Sequence, residues 1–174
     1  WSHSQDSKSN PNSRFSASVN LGSSNYFRES VNQLNTPNIL NNTLNSSVSY
    51  SRTFKGYPSV NLSLTASHSQ NTRTQTVNMT LPTLQANVER IYPLVKRNGQ
   101  KKGILKKINL QYSLRGENRI QTSDSLFLKK EMFKDARYGM KHSIPLTTNF
   151  KFLKHLSVSF GGRFEEIWTG QTIK

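Results

Sequence analysis

From Val60 to His68 the chain alternates without a break. Val60, Leu62, Leu64 and Ala66 fall on one side of an extended chain, and Ser59, Asn61, Ser63, Thr65 and Ser67 on the other. A period of two is that of a β-strand with a single apolar face. The polar side is unusual, because a strand facing bulk water commonly carries Lys, Glu and Asp, and this one carries small, neutral, hydrogen-bonding groups. The rhythm recurs at Phe15, Ala17, Val19 and Leu21, at Leu44, Val48, Tyr50 and Phe54, and at Val77, Met79 and Leu81. It returns at Ile108, Leu110, Tyr112 and Leu114, at Tyr138, Met140 and Ile144, and at Leu156, Val158, Phe160 and Phe164. The pattern predicts about seven strands. At Pro82 the phase slips, and Leu84, Ala86 and Val88 carry it on one position out. A one-residue slip exchanges the faces, so a bulge or bend is expected near Pro82 and Thr83.

Short connections are expected at Lys55–Pro58, Asn71–Thr74 and Phe152–Leu156, a basic one at Lys96–Gly103, and long ones at Ser24–Thr43 and Gln121–Asp135. The segment Asp124–Ala136 fits neither the helical nor the strand period. Strand length separates the architectures. Alternating runs of about ten residues extend ~33 Å. Tilted by ~45° they span ~23 Å, the height of the apolar band of an outer-membrane barrel. Tyr26, Tyr57, Tyr92 and Trp168 stand near strand ends, as an aromatic girdle requires. The expected fold is therefore all-β, an antiparallel transmembrane β-barrel segment contributing about seven long strands to a larger barrel. Residues 1–174 read as part of one barrel domain. Val60, Leu62, Leu64, Leu110, Tyr112, Val158 and Phe160 are the candidate lipid-facing positions. Ser63, Asn109, Gln111, Ser113, Arg115, Arg163 and Glu165 are the candidate lumen-facing ones.

Composition sharpens this. Only 33% of the 174 residues are hydrophobic, against ~45–50% in chains that bury a central core. Either the chain is disordered, or it is a sheet whose apolar residues face lipid; the sustained alternation and 10% aromatic content favour the sheet. The formal charge of +15 implies anionic partners: nucleic acid, lipid head groups or acidic saccharide-lipids. There is no cysteine, no apolar run long enough for a transmembrane helix, and no signal-peptide pattern at Trp1–Asn10, so the chain reads as an internal excerpt of a larger protein.

Candidate chemistry is sparse. His3, His68, His142 and His155 show no metal-ligand spacing, and Glu165 and Glu166, adjacent on a strand, point to opposite faces. No triad or phosphate loop is visible. The expectation is a non-enzyme without metal or cofactor. Arg115 and Arg163 suit phosphate binding by guanidinium geometry, but pairing with Glu117 and Glu165, or simple hydration in a wide lumen, is the preferred reading. Arg52 shares parity with Val48, Tyr50 and Phe54, which calls for snorkelling at a strand end. Glu166 belongs to the apolar parity and should lie beyond the apolar band, close to Trp168. The loop Lys96–Gly103 with Lys106 and Lys107 could hold anionic head groups or simply be a solvated basic turn.

Several stretches resemble a known family. "HSQNTRTQTVNMTLP" followed by "RIYP", and "GENR" followed by "EMFKDARYGMKHSIP", are the most specific, and "LNNTLNSSVSYSRTF" belongs with them. They are similar to the barrel of the lipopolysaccharide-assembly outer-membrane family LptD, also called OstA or organic-solvent-tolerance proteins, in a divergent branch. The resemblance covers nearly the whole chain. It implies location in the bacterial outer membrane and delivery of lipopolysaccharide from a periplasmic bridge protein to the outer leaflet, alongside a plug lipoprotein of the LptE type. It supplies no catalytic residues. The chain departs from a whole member in lacking the N-terminal periplasmic domain and enough strands to close the barrel. A passive porin or nutrient-receptor barrel is the alternative function. A soluble, basic, all-β nucleic-acid binder ranks last, because the aromatics alternate with Ser and Asn rather than with Lys and Arg. No nucleic acid is expected as a partner.

Overall fold

Among the described residues eight strands pair antiparallel in chain order in a single open sheet. They are β1 (Ser2–Ser4), β2 (Ser13–Ser18), β3 (Thr43–Phe54), β4 (Val60–Asn71), β5 (Thr76–Ile91), β6 (Asn109–Ser123), β7 (Arg137–Phe152) and β8 (Leu156–Thr169). The structure is a computed structural model that describes residues 1–22, 43–96, 99–100, 103–152 and 156–170. Two sequence expectations are corrected. Among the described residues there are eight strands rather than about seven, because three residues of the Trp1–Asn10 segment pair with β2. The strands from β3 to β8 run 12 to 16 residues rather than about ten. Among the described residues no helix is long and apolar enough to cross a membrane, which says nothing about strands.

The turn at 72–75, the connection at 124–136, the end of β2 and the start of β3 share one end of the sheet, here the upper end. The other long connection runs between β2 and β3. It and Tyr26 fall largely outside the described residues, as do Arg97, Asn98, Lys101 and Lys102 of the basic loop.

The phase slip at Pro82 is a bulge. On β5, Thr80 and Thr83 face Ser67 and Thr65 of β4 and Arg119 and Glu117 of β6, so Leu81 and Pro82 together oppose one residue on either side. Proline, with no N–H to give the ladder, is tolerated at such a place. The side chain of Asn118 spans it, its Nδ2 donating to the Leu81 carbonyl at 2.9 Å. A second irregularity lies lower on β5, between Val88 and Ile91.

Register partners share a face, so the sheet has two distinct sides. One carries Phe15, Val48, Tyr50, Val60, Leu62, Leu64, Leu84, Ala86, Leu110, Tyr112, Leu114, Ile144, Val158, Phe160 and Phe164. Much of it is uncovered by protein: Phe160 is 63% exposed and Phe164 58%. The compact core is elsewhere, at the upper end of this side. There the 3-10 turn Lys130–Asp135 folds down so that Met132 packs on Val77, Met79 and Ile120. All four are at most 5% exposed. Phe127, from the same connection, packs on this cluster and stands 5.2 Å from the His68 ring.

The boundary of the apolar stripe runs obliquely. Above Thr148, which interrupts it low on β7, the apolar run gives way to a polar side chain at His68 on β4, Asn118 on β6, His142 on β7 and Glu166 on β8. Register partners lead from Glu166 through His142, Leu114 and Ala86 to Leu62, six residues below His68. Six residues are ~20 Å along a strand, and four strand spacings are ~19 Å across. The stripe is therefore inclined by ~45° to the strand normal, close to the tilt that strands adopt in a transmembrane barrel. The same drift leaves Arg52 at the lower margin on β3, where its guanidinium lies 4.9 Å from the Phe54 ring centre.

Candidate functional site on the polar face

The other side of the sheet carries the groups that can bind. Ser63, Gln85, Arg115 and Lys141 are successive register partners across β4 to β7, as are Ser113, Ser143 and Glu165 across β6 to β8. Asn109 faces Thr147, and Pro145 faces Arg163. With Gln111 at the same parity, all seven candidate polar positions lie on this face, and the seven candidate apolar positions lie on the opposite one. The separation is not perfect, since Ile167 sits among the polar positions, opposite Lys141 and 64% exposed.

This face divides into two halves. On β3, β4 and β5, from Thr43 to Asn87, its strand positions are only Ser, Thr, Asn and Gln. Hydroxyls and amides there bond across strands, Ser16 Oγ to Ser49 Oγ at 2.7 Å and Thr53 Oγ1 to Asn61 Oδ1 at 2.7 Å. The half formed by β6, β7 and β8 is charged. Glu117 holds Arg119 at 2.7 Å and Arg115 at 3.2 Å, and Glu165 holds Lys141 at 3.1 Å and Arg163 at 3.6 Å. Arg115 and Arg163 thus sit in intramolecular pairs with the two glutamates. Spacing of two along a strand puts such groups side by side on one face. Exposed pairs of this kind are worth ~0–1 kcal/mol, so a competing anion displaces them at little cost.

Positions that alternation alone did not single out complete the arrangement. Arg137 lies directly opposite Arg119, and Lys141 directly opposite Arg115. Their parity on β7 matched that of a polar face, but their partners across the 124–136 connection could be known only from register. Lower down, Lys107 and Lys151 line a cavity of about 490 Å³ with Asn149, Ser157 and Ser159. A larger cavity of about 640 Å³ opens at the upper end between Asn78, Thr80, Arg119, Gln121, Asp135 and Arg137. Cationic side chains thus run along the height of β6–β8. Asn109 acts within the sheet instead. Only 6% exposed, it accepts from Thr147 Oγ1 at 2.9 Å and donates to the Lys107 carbonyl at 3.3 Å, tying the start of β6 to its neighbours.

Aromatic groups mark both margins of the apolar side. Tyr57 and Tyr92 meet at the lower end, where the Tyr92 N–H donates to Tyr57 Oη at 3.4 Å. At the upper margin Trp168 Nε1 donates to Glu166 at 2.6 Å, the Trp168 and His142 rings are 5.1 Å apart, and Tyr112 Oη bonds His142 Nδ1 at 2.7 Å. Glu166 thus lies beside Trp168 on the apolar parity, with an indole partner.

The family of LptD proteins matches residues 1–174. The chain belongs to the LptD family. No curated protein and no solved structure matches it. Membership ties this LptD-type sheet to lipopolysaccharide transport at the outer membrane, with lipopolysaccharide as the substrate class. The substrate of an LptD protein joins a charged saccharide head to apolar tails. A sheet with hydroxyls, amides and weakly held cations on one face, and uncovered Leu, Val and Phe on the other, matches both parts chemically.

Proposed function

We propose that this chain forms part of the wall of an outer-membrane β-barrel that passes lipopolysaccharide from a periplasmic bridge to the outer leaflet. The polar face lines the lumen and the apolar face meets lipid. The observation that carries this reading is the two-sided sheet: strands of 12 to 16 residues with large apolar side chains uncovered on one side and Ser, Asn and cations on the other. Its oblique stripe supports the same conclusion, because the tilted strands of a closed barrel set an apolar band across the register in this way.

Transport needs many weak contacts, since one tight site would trap its cargo. Ser47, Ser63, Ser113 and Asn61 offer neutral donors and acceptors, and the glutamate-held cations of β6 and β8 offer exchangeable charge. The role is conduction rather than catalysis, with the driving energy supplied from outside this segment. A plug lipoprotein of the LptE type and a periplasmic bridge protein complete the path. The cation-rich half also favours a second reading, an anion-conducting passive pore. Depletion of the intact protein in cells separates the two: transport predicts loss of newly made lipopolysaccharide from the cell surface. Unchanged surface lipopolysaccharide, together with lost anion permeability, would establish the pore instead.

A further inference from the structure

The three glutamates of β6 to β8 are not treated alike. Glu117 is held by Arg115 and Arg119, and Glu165 by Lys141 and Arg163. Glu166 makes no ion pair among the described residues, in a chain with 24 basic and 9 acidic residues. Its carboxylate takes a single hydrogen bond there, from Trp168 Nε1 to Oε1 at 2.6 Å, which leaves Oε2 uncommitted. Its register partner, His142, does not serve it. That ring bonds Tyr112 Oη through Nδ1 at 2.7 Å and lies 5.1 Å from the Trp168 ring, and its Nε2 has no hydrogen-bond partner among the described residues. The carboxylate therefore stands at the upper margin of the apolar side, next to an indole that is 56% exposed. A carboxylate beside hydrocarbon costs stability unless a counter-charge meets it. The neighbours restrict what that counter-charge is. Calcium takes about six oxygen ligands or more, and this cluster offers one carboxylate and a phenol already engaged by His142. An organic ammonium needs less: a carboxylate for its N–H groups and an aromatic face for its charge, with Trp the best of the faces.

We propose that Glu166 and Trp168 form a site for the primary ammonium of an ethanolamine glycerophospholipid, on the lipid side of the sheet. The ammonium donates to Glu166 Oε2 and lies over the exposed part of the indole, while His142, tied to Tyr112, backs the indole and fixes its plane. Directly below, Ile144 and Phe164 are register partners on the same side, and the stripe continues to Phe160. Between Phe164 and Phe160, Gly162 leaves a notch without a side chain, where an added Cβ would meet nothing within 4 Å. An ammonium at the margin with an apolar notch beneath it fits a head group and its acyl chain together, so the occupant is a membrane lipid rather than a free amine. The inference rests on the reading that the apolar face meets lipid, and it is independent of what passes along the polar face.

The test uses the intact protein in non-ionic detergent, mixed in turn with dioleoyl phosphatidylethanolamine, phosphatidylcholine and phosphatidylglycerol, with bound lipid counted by native mass spectrometry. Glu166→Gln weakens the ethanolamine lipid about tenfold, the scale of one charge-assisted hydrogen bond, and leaves the glycerol lipid, which has no ammonium, unchanged. Trp168→Leu, which keeps the carboxylate, weakens the ethanolamine and choline lipids several-fold. Glu89→Gln, at a carboxylate near the lower end of β5, alters none of the three. Heat-dependent gel migration verifies that the variants are folded. Unchanged binding of the ethanolamine lipid by folded Glu166→Gln overturns the site, as does an equal loss of the glycerol lipid. If the parent protein retains all three lipids and no variant discriminates among them, the site fails and the lipid-facing reading stands; if it retains none, both fail.

Discussion

Leu64 and Ser63 are neighbours on β4 that point to opposite sides, and they give the assignment of faces its sharpest mutational test. Leu64 lies within the apolar run Val60–Ala66, between Tyr50 and Leu84 in register, and the protein leaves 42% of it exposed. Removing the covered part of the side chain, as in Leu64→Ser, costs about 1 kcal/mol, roughly half the value of a fully buried leucine. Leu64→Arg adds the cost of placing a cation in hydrocarbon, ~2–4 kcal/mol near the bilayer midplane. The two together, ~3–5 kcal/mol, should lower the folding equilibrium in liposomes by roughly 150-fold or more. Ser63→Arg puts the same charge one residue away on the polar face, beside Gln85, and should change stability by no more than ~0.5 kcal/mol. The assay is urea-dependent folding of the intact protein into lipid vesicles, read by tryptophan fluorescence and gel mobility. Equal effects at the two positions, or a larger one at Ser63, would refute the assignment of faces.

Three further outcomes follow from named contacts. Met132→Ala empties the centre of the cluster with Val77, Met79 and Ile120 and should cost ~2–4 kcal/mol locally, seen as faster proteolysis within 124–136 while the barrel stays folded. Asn109→Ala removes the bonds to Thr147 and Lys107 and should destabilise by ~1–2 kcal/mol, measured by the same urea titration. Glu117→Gln releases Arg115 and Arg119 from their shared carboxylate, so calorimetry should find phosphate bound several-fold more tightly, and weaker binding would contradict the competition described above.

How much of this was legible in the sequence depends on whether the cause is local. Faces are local, because a period of two assigns each side chain of a strand before any partner is known. Hence the seven apolar and seven polar candidates fall on opposite sides, and the slip at Pro82 located the bulge. The lower irregularity between Val88 and Ile91 was hidden, because a three-residue spacing at the end of an alternating run reads as the strand simply ending. β1 was hidden because three residues carry too little pattern. Register is non-local: nothing in the Gln121–Asp135 stretch says that Arg137 returns opposite Arg119, so the opposed cations were invisible. The core under that connection was also hidden, because Phe127, Met132 and Ala136 follow irregular 3-10 geometry and match neither period.

If the polar face is the path of the lipid's head group, a probe on that face must meet lipopolysaccharide in transit. Photo-crosslinking in living cells shows whether it does, with the reactive residue placed at Ser63, Ser113 or Arg115 of the intact protein and at Leu62 as the control on the apolar face. Transport along this face predicts lipopolysaccharide adducts at the three polar positions that disappear when supply from the inner membrane is stopped. Adducts at Leu62 alone would contradict it, leaving these strands as scaffold beside bulk lipid.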